Sequence, residues 1–228
     1  MESASPEMAD AAGRLILQHK LCMIWRLAAL PGQQASIYLG GNQEPMKAWN
    51  HFKTITYHRW LVRDGCFRVG LYWQGLTHDL SKYSAVEFLT GARYYQGTRS
   101  PNSAEREIKG FSEAWMHHKG RNRHHYEYWT DLSPVTRKYE SVPMPRKYLV
   151  EMVMDRRAAC MVYQGKDYHP SSALEYLEKS RERNFMHPEL LRQLTYILTM
   201  LAEEGERETF RYIRTDVLKG KPFPWETE

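Results

Sequence analysis

Cysteine is scarce in this chain. Its three residues, Cys22, Cys66 and Cys160, are odd in number, far apart and in no C-x-x-C arrangement. That excludes a disulfide framework and a thiolate zinc site, and it suits a reducing, cytoplasmic setting. Long apolar runs are missing as well. The most apolar stretch, Leu15 to Leu30, is interrupted by His19, Lys20 and Arg26, so it falls short of the ~18 to 20 residues of a membrane span. The acidic Glu2, Glu7 and Asp10 before it are the wrong charge for a secretory leader. No alternating strand pattern lasts more than a few residues, and there is no internal repeat or low-complexity tract.

What remains is a helical pattern. With 42% hydrophobic and 26% charged residues the chain is apolar enough to fold, and its length suits one domain. The net charge of +5 is spread along the chain and locally matched by acids, so it favours anionic partners only weakly. Residues 7 to 30 read as a helix stopped by Pro31-Gly32, and residues 33 to 45 as a loop. Residues 1–45 therefore form a helical arm, or an over-extended reading frame ahead of Met46, followed by a domain over 46–220 and a tail over 221–228.

Within the domain, Ala48, Phe52, Ile55, Arg59 and Val62 recur at helical spacing, and His58 shares a face with Ile55 and Val62. Asp64-Gly65 is expected to break this helix. A second one from Cys66 should bury Val69, Tyr72, Trp73 and Leu76 and deliver His78-Asp79 at its end. Ser84 is an N-cap with Glu87 at the capping-box position. A helix from Ser103 should carry Ile108, Phe111, Trp115 and His118 on one face, which makes His118 rather than His117 the inward residue. Gly120 to Arg123 is a turn; either His124 or His125, or both, faces in. A helix ending near Gln164 has Met152, Asp155, Ala159 and Val162 on one face. Three further helices are expected at Ser171 to Arg183, Pro188 to Glu204 and Glu206 to Lys219. The aromatic and methionine stripes, Trp60, Tyr72, Trp73, Trp115, Met152, Met154 and Met161, read as core. The class is all-α.

Six of the ten histidines fall between 58 and 125. A His-Asp pair alone is common by chance, but here it has company. The inward set is His58, His78, Asp79, His118, His124 or His125, and Asp155, each on or beside a different helix. Zinc takes three or four protein ligands, whereas five or six nitrogen and carboxylate donors suit two six-coordinate divalent ions with Asp79 between them. Iron or manganese fits best, and magnesium, zinc, cobalt or nickel is allowed.

These residues resemble the HD-domain superfamily of metal-dependent phosphohydrolases, whose ligand order H…HD…D is matched by His58, His78-Asp79 and Asp155. His118 with His124 or His125 matches the two extra histidines of its binuclear members. His78-Asp79-Leu80-Ser81-Lys82 is similar to the HDxGK segment of phosphodiesterases of cyclic dinucleotides and of inositol oxygenase. Ser81 stands in place of the glycine, the GYP segment is absent, and the interval from His118 to His124 is short. A closer resemblance, HDLSKYS…EF…AW.HHKGRNRHHYEYW over His78 to Trp129, is to a bacterial and phage family that supplies no substrate. The resemblance implies a helical bundle with a metal site between helices, over roughly residues 50 to 165.

The resemblance further implies a hydrolase acting on a small phosphorylated compound, a nucleotide or another phosphate ester, by a metal-activated water. Asp79 would act in catalysis by joining the ions. Lys82 would neutralise a phosphate oxygen, or is a solvated lysine at a helix junction; Arg121 or Arg123 would add a forked contact. A di-iron oxygenase on the same scaffold is the first alternative. A nucleic-acid or partner-binding module through Gly120 to Trp129, or a His-Asn-His nuclease using His118, Asn122 and His125, is the second.

Overall fold

The computed structural model describes residues 43–180 and 185–227; the helix expected over 7 to 30, and the loop after it up to residue 42, lie outside these. Among the described residues are eight α-helices and one two-stranded hairpin. In order they are α1 (Gln43–Val69), α2 (Tyr72–Thr77), α3 (Ala85–Tyr94), α4 (Pro101–Lys109), α5 (Glu113–Lys119), β1 (Thr130–Leu132), β2 (Tyr139–Ser141), α6 (Arg146–Gln164), α7 (Ser172–Lys179) and α8 (Pro188–Tyr212). The fold is all-α, and the antiparallel hairpin, with Asp131 opposite Glu140, is the one departure from the expected absence of strands. No helix of the described residues is long and apolar enough to cross a membrane.

Asp64-Gly65 does not break α1. The helix runs through it to Val69 and stops at Gly70, whose φ of 90° an L side chain rarely adopts. Gly65 is instead a close approach between α1 and α6, since a Cβ there would lie 2.7 Å from Met154 Sδ. Gly65→Ala should therefore overpack a fully buried contact and cost about 1–2 kcal/mol, read as a lower urea midpoint at unchanged slope.

The core joins Leu61, Val62 and Val69 of α1 to Leu149, Val153 and Met154 of α6 and to Leu194, Ile197 and Leu201 of α8. Phe223, in the stretch read as a tail, is buried in the same core and stacks on Trp225 at 4.9 Å. The Lys-Pro-Phe-Pro-Trp spacing carries no helical period, so nothing in the pattern marks it as core. Conversely Trp60, Tyr72, Trp73 and Leu76 are at least half exposed, against the expectation that they pack inside. The stripe of the last three follows from a helix starting at Cys66; in the structure α2 starts after the Gly70 turn and presents Gly75, not its aromatics, to Cys66 and Phe67 of α1.

The helix expected from Ser103 is two. α4 opens at Pro101 and ends at Gly110 with φ 83°, and α5 begins after Ser112, whose hydroxyl accepts from the Trp115 amide. Ile108 and Phe111 are consequently exposed, while His118 is buried as expected. The C-terminal pair is merged into α8, with a non-helical Gly205 (φ 77°, ψ 179°) at the expected boundary.

Candidate metal centre

His78 and Asp79 are presented by a clamped helix end. The Arg59 guanidinium reaches from α1 to donate to the Leu76 carbonyl at 3.1 Å and the His78 carbonyl at 2.7 Å, satisfying acceptors that the end of α2 leaves open. Asp79 then takes φ 52°, a left-handed conformation that aspartate tolerates better than most residues, and turns its carboxylate into the protein. A 3-10 turn over Leu80–Tyr83 follows and sets Lys82 Nζ 2.7 Å from Asp79 Oδ2.

The other candidate ligands converge from four more places. His58 arrives from α1, and its Nε2 is 2.9 Å from Asp155 Oδ1 of α6. His118 comes from α5, with Nε2 3.3 Å from Asp79 Oδ1. The turn after α5 winds around the His118 carbonyl, which accepts from the Arg121 and Asn122 amides and from Asn122 Nδ2. Six residues are thus enough to bring His124 back to the centre, with Nε2 3.5 Å from Asp79 Oδ1. His125 packs its ring 4.1 Å from that of His124 and 4.8 Å from that of His118. Both histidines face in.

Two four-residue donor sets result, His58, His78, Asp79 and Asp155, and Asp79, His118, His124 and His125; a third, smaller group, His78, His124 and Glu151, draws one histidine from each. Bonds of ~2.1 Å place neighbouring ligand atoms ~3.0 to 3.4 Å apart around one ion. The first set spans 2.9 Å (His58–Asp155), 3.4 Å (His78–Asp79) and 3.9 Å (His58–Asp79), close to that spacing. Buried polar atoms without a hydrogen bond are costly, and four lie here: both Asp79 oxygens, whose Oδ2 has the Lys82 ion pair, and the Nε2 atoms of His124 and His125. The residues fit a metal.

Electrostatics agree. Burial works against the Asp79 charge, yet His78, Lys82 and His118 hold its carboxyl well below the usual range. Burial likewise opposes the His78 cation, but Asp79, Asp155 and Glu151 raise it to about 10. Burial, with His124 and His118 nearby, keeps His125 well below its ordinary value and so neutral, with a lone pair to offer. Cation binding and proton binding are alternatives at such a cluster.

A model described as a family of unknown function, DUF5662, matches residues 47–200. The chain belongs to the DUF5662 family. No curated protein and no solved structure matches it. The DUF5662 match contains every residue of both donor sets, from His58 to Asp155.

Not all the expected site residues of this DUF5662 member meet. Lys82 lines the cavity of about 500 Å³ that opens onto His58, His118, His125 and Asp155. Arg121 and Arg123 do not line it. Arg121 is exposed and donates to the His117 carbonyl, while Arg123 sits over the Tyr128 ring and donates to the Tyr148 hydroxyl. The winding about His118 points both outward, and the arginine on the cavity wall near the ligands is Arg156 of α6.

Two carboxylates escape the sequence reading. Glu87 does let its amide donate to Ser84 Oγ, but its side chain leaves the cap to take His117 Nδ1 at 2.6 Å and His118 Nδ1 at 2.7 Å. Glu151 Oε1 lies 3.0 Å from His78 Nδ1 and 3.2 Å from His124 Nδ1. Its place four residues before Asp155 on α6 was the available signal. Ser81, where the resemblance has glycine, receives the Asn122 amide at 2.9 Å and so anchors the turn that carries His124.

Proposed function

We propose that this protein is a metal-dependent phosphohydrolase of the HD-domain type, acting on a small phosphate ester such as a nucleotide. The observation that carries the reading is the buried Asp79, whose two oxygens face two different sets of imidazole nitrogens. Bound there, a pair of divalent ions, iron or manganese before magnesium, zinc, cobalt or nickel, would supply a nucleophilic water at neutral pH and stabilise phosphoryl charge. Asp79 and Asp155 provide the anionic donors, and His58, His78, His118, His124 and His125 the neutral ones. Lys82, on the cavity wall, offers an ammonium to a phosphate oxygen, and Arg156 places a second cation on the same wall. A cavity of about 500 Å³ suits a nucleotide-sized compound better than a polymer.

Stripping the protein with a chelator should abolish phosphatase turnover, and manganese or ferrous iron should restore it. Lys82→Met should keep the metal and lower kcat/KM on phosphate esters by about 10²-fold, the scale of losing one preorganised charge. Metal-loaded protein inert toward a broad panel of phosphate esters would overturn the hydrolase. The oxygenase reading has one observation in its favour, the pairing of two imidazoles with two carboxylates, a donor set that suits iron. Oxygen uptake by iron-loaded protein, with no turnover under manganese, would select it. A His-Asn-His nuclease has less support, because Asn122 commits its amide to Ser81 and to the His118 carbonyl.

A further inference from the structure

Glu151 and Glu87 differ in what they hold. Glu87 touches a ligand of one donor set, His118, and otherwise His117, which is in neither set. Glu151 is buried, and one of its oxygens serves His78 of the first set and His124 of the second. A neutral imidazole carries one N–H. An acceptor at Nδ1 draws the proton there, aims the ring and leaves the Nε2 lone pair for a metal.

We propose that Glu151 is a positioning residue shared by the two metal sites: through one oxygen it sets the tautomer and aim of a ligand in each, and so couples their filling. The inference rests on the two-ion reading above. Because the acceptor atom is common, a rotation of Glu151 that abandons His78 also abandons His124. A site half assembled in one donor set is therefore half assembled in the other. Glu87 has no such reach, and its loss should disturb the His118 set alone.

Zinc is the probe, being diamagnetic and stable in air. Native mass spectrometry would count ions per chain during titration of the stripped protein, and nitrogen NMR of the imidazoles would read their tautomers. The wild type should pass from zero to two zinc ions with little one-ion species. Glu151→Met should weaken both ions by about 10- to 100-fold and, in stripped protein at a pH above the titration of the rings, release neutral His78 and His124 from the Nδ1–H form. Glu151→Gln keeps a carbonyl oxygen able to accept both N–H groups, and it should recover much of the affinity; a merely structural role for the carboxylate would not track tautomer in this way. Glu87→Met should weaken one ion and spare the other. Thermal melts of the stripped variants separate lost folding from lost binding.

Two ions in the wild type with one or none weakened in Glu151→Met would overturn the coupling and leave the metal centre standing. A third zinc that vanishes alone in Glu151→Met would also overturn it, by making Glu151 a ligand. A wild type that takes no zinc would remove the metal centre and the coupling together.

Discussion

Replacing Asp79 with alanine should empty both metal sites at once. Elemental analysis of untagged protein should fall from about two ions per chain to near none, and phosphatase turnover by roughly 10³-fold or more. The size of the effect follows from position. Asp79 is the residue common to both donor sets, with Oδ1 toward His118 and His124 and Oδ2 toward His58 and His78. It is also almost wholly buried, and a water entering from the cavity beside the ligands would not replace its negative charge. Removing any other ligand leaves three donors in its set; removing this one leaves three in each and takes away the charge between them. Alanine at φ 52° adds about 1–2 kcal/mol of backbone strain, so Asp79→Asn, which tolerates that conformation, is the control for folding. Retention of two ions by Asp79→Ala, with a normal circular dichroism spectrum, would refute the shared-ligand arrangement.

The second large effect lies away from the centre. Glu206 meets Arg68 at 2.6 Å and Arg157 Nε at 2.5 Å, with a further contact to Arg157 Nη2, while both guanidiniums lie over the Phe210 ring. Arg157 is buried, and Glu206 directly follows the non-helical Gly205. Glu206→Gln would leave that cation without its counter-charge, and unfolding at neutral pH should become easier by about 3 kcal/mol. The pH dependence has a definite sign. Burial disfavours the Glu206 carboxylate, but the two arginines more than offset this and hold its carboxyl below the usual range. A depressed carboxyl stabilises the fold above its unfolded value of ~4.3 and loses that contribution as pH falls through the folded value. Urea titrations of wild type and variant should therefore differ by a constant amount near neutrality and converge in acid. A difference that persists at the lowest pH at which the protein folds would show that the substitution disturbs packing rather than charge.

The sequence alone determined the all-α class, the inward direction of His58, His118 and Asp155, and the place of His78-Asp79 at a helix end. For His58 and Asp155 local spacing suffices, since a residue three, four or seven places from buried neighbours lies on their face of the helix; His118 is inward although Ile108 and Phe111, on the same expected stripe, are exposed. Boundaries were less legible. Gly65 and Gly110 look alike in a sequence, yet one is a close helix contact and the other a left-handed stop, and the choice depends on Met154 from a helix about ninety residues away.

Tertiary structure alone decided what second partners do. That Arg59 clamps the end of α2 and that Glu87 and Glu151 hold the imidazole rings are contacts across 19 to 73 positions, while the turn that faces His124 and His125 in and Arg121 and Arg123 out is wound locally about His118 and tied down by distant Ser81. A carboxylate on a helix reads the same whether it meets water or two imidazoles. Which of the two it meets is fixed by the packing of distant helices, and local periodicity carries no record of that.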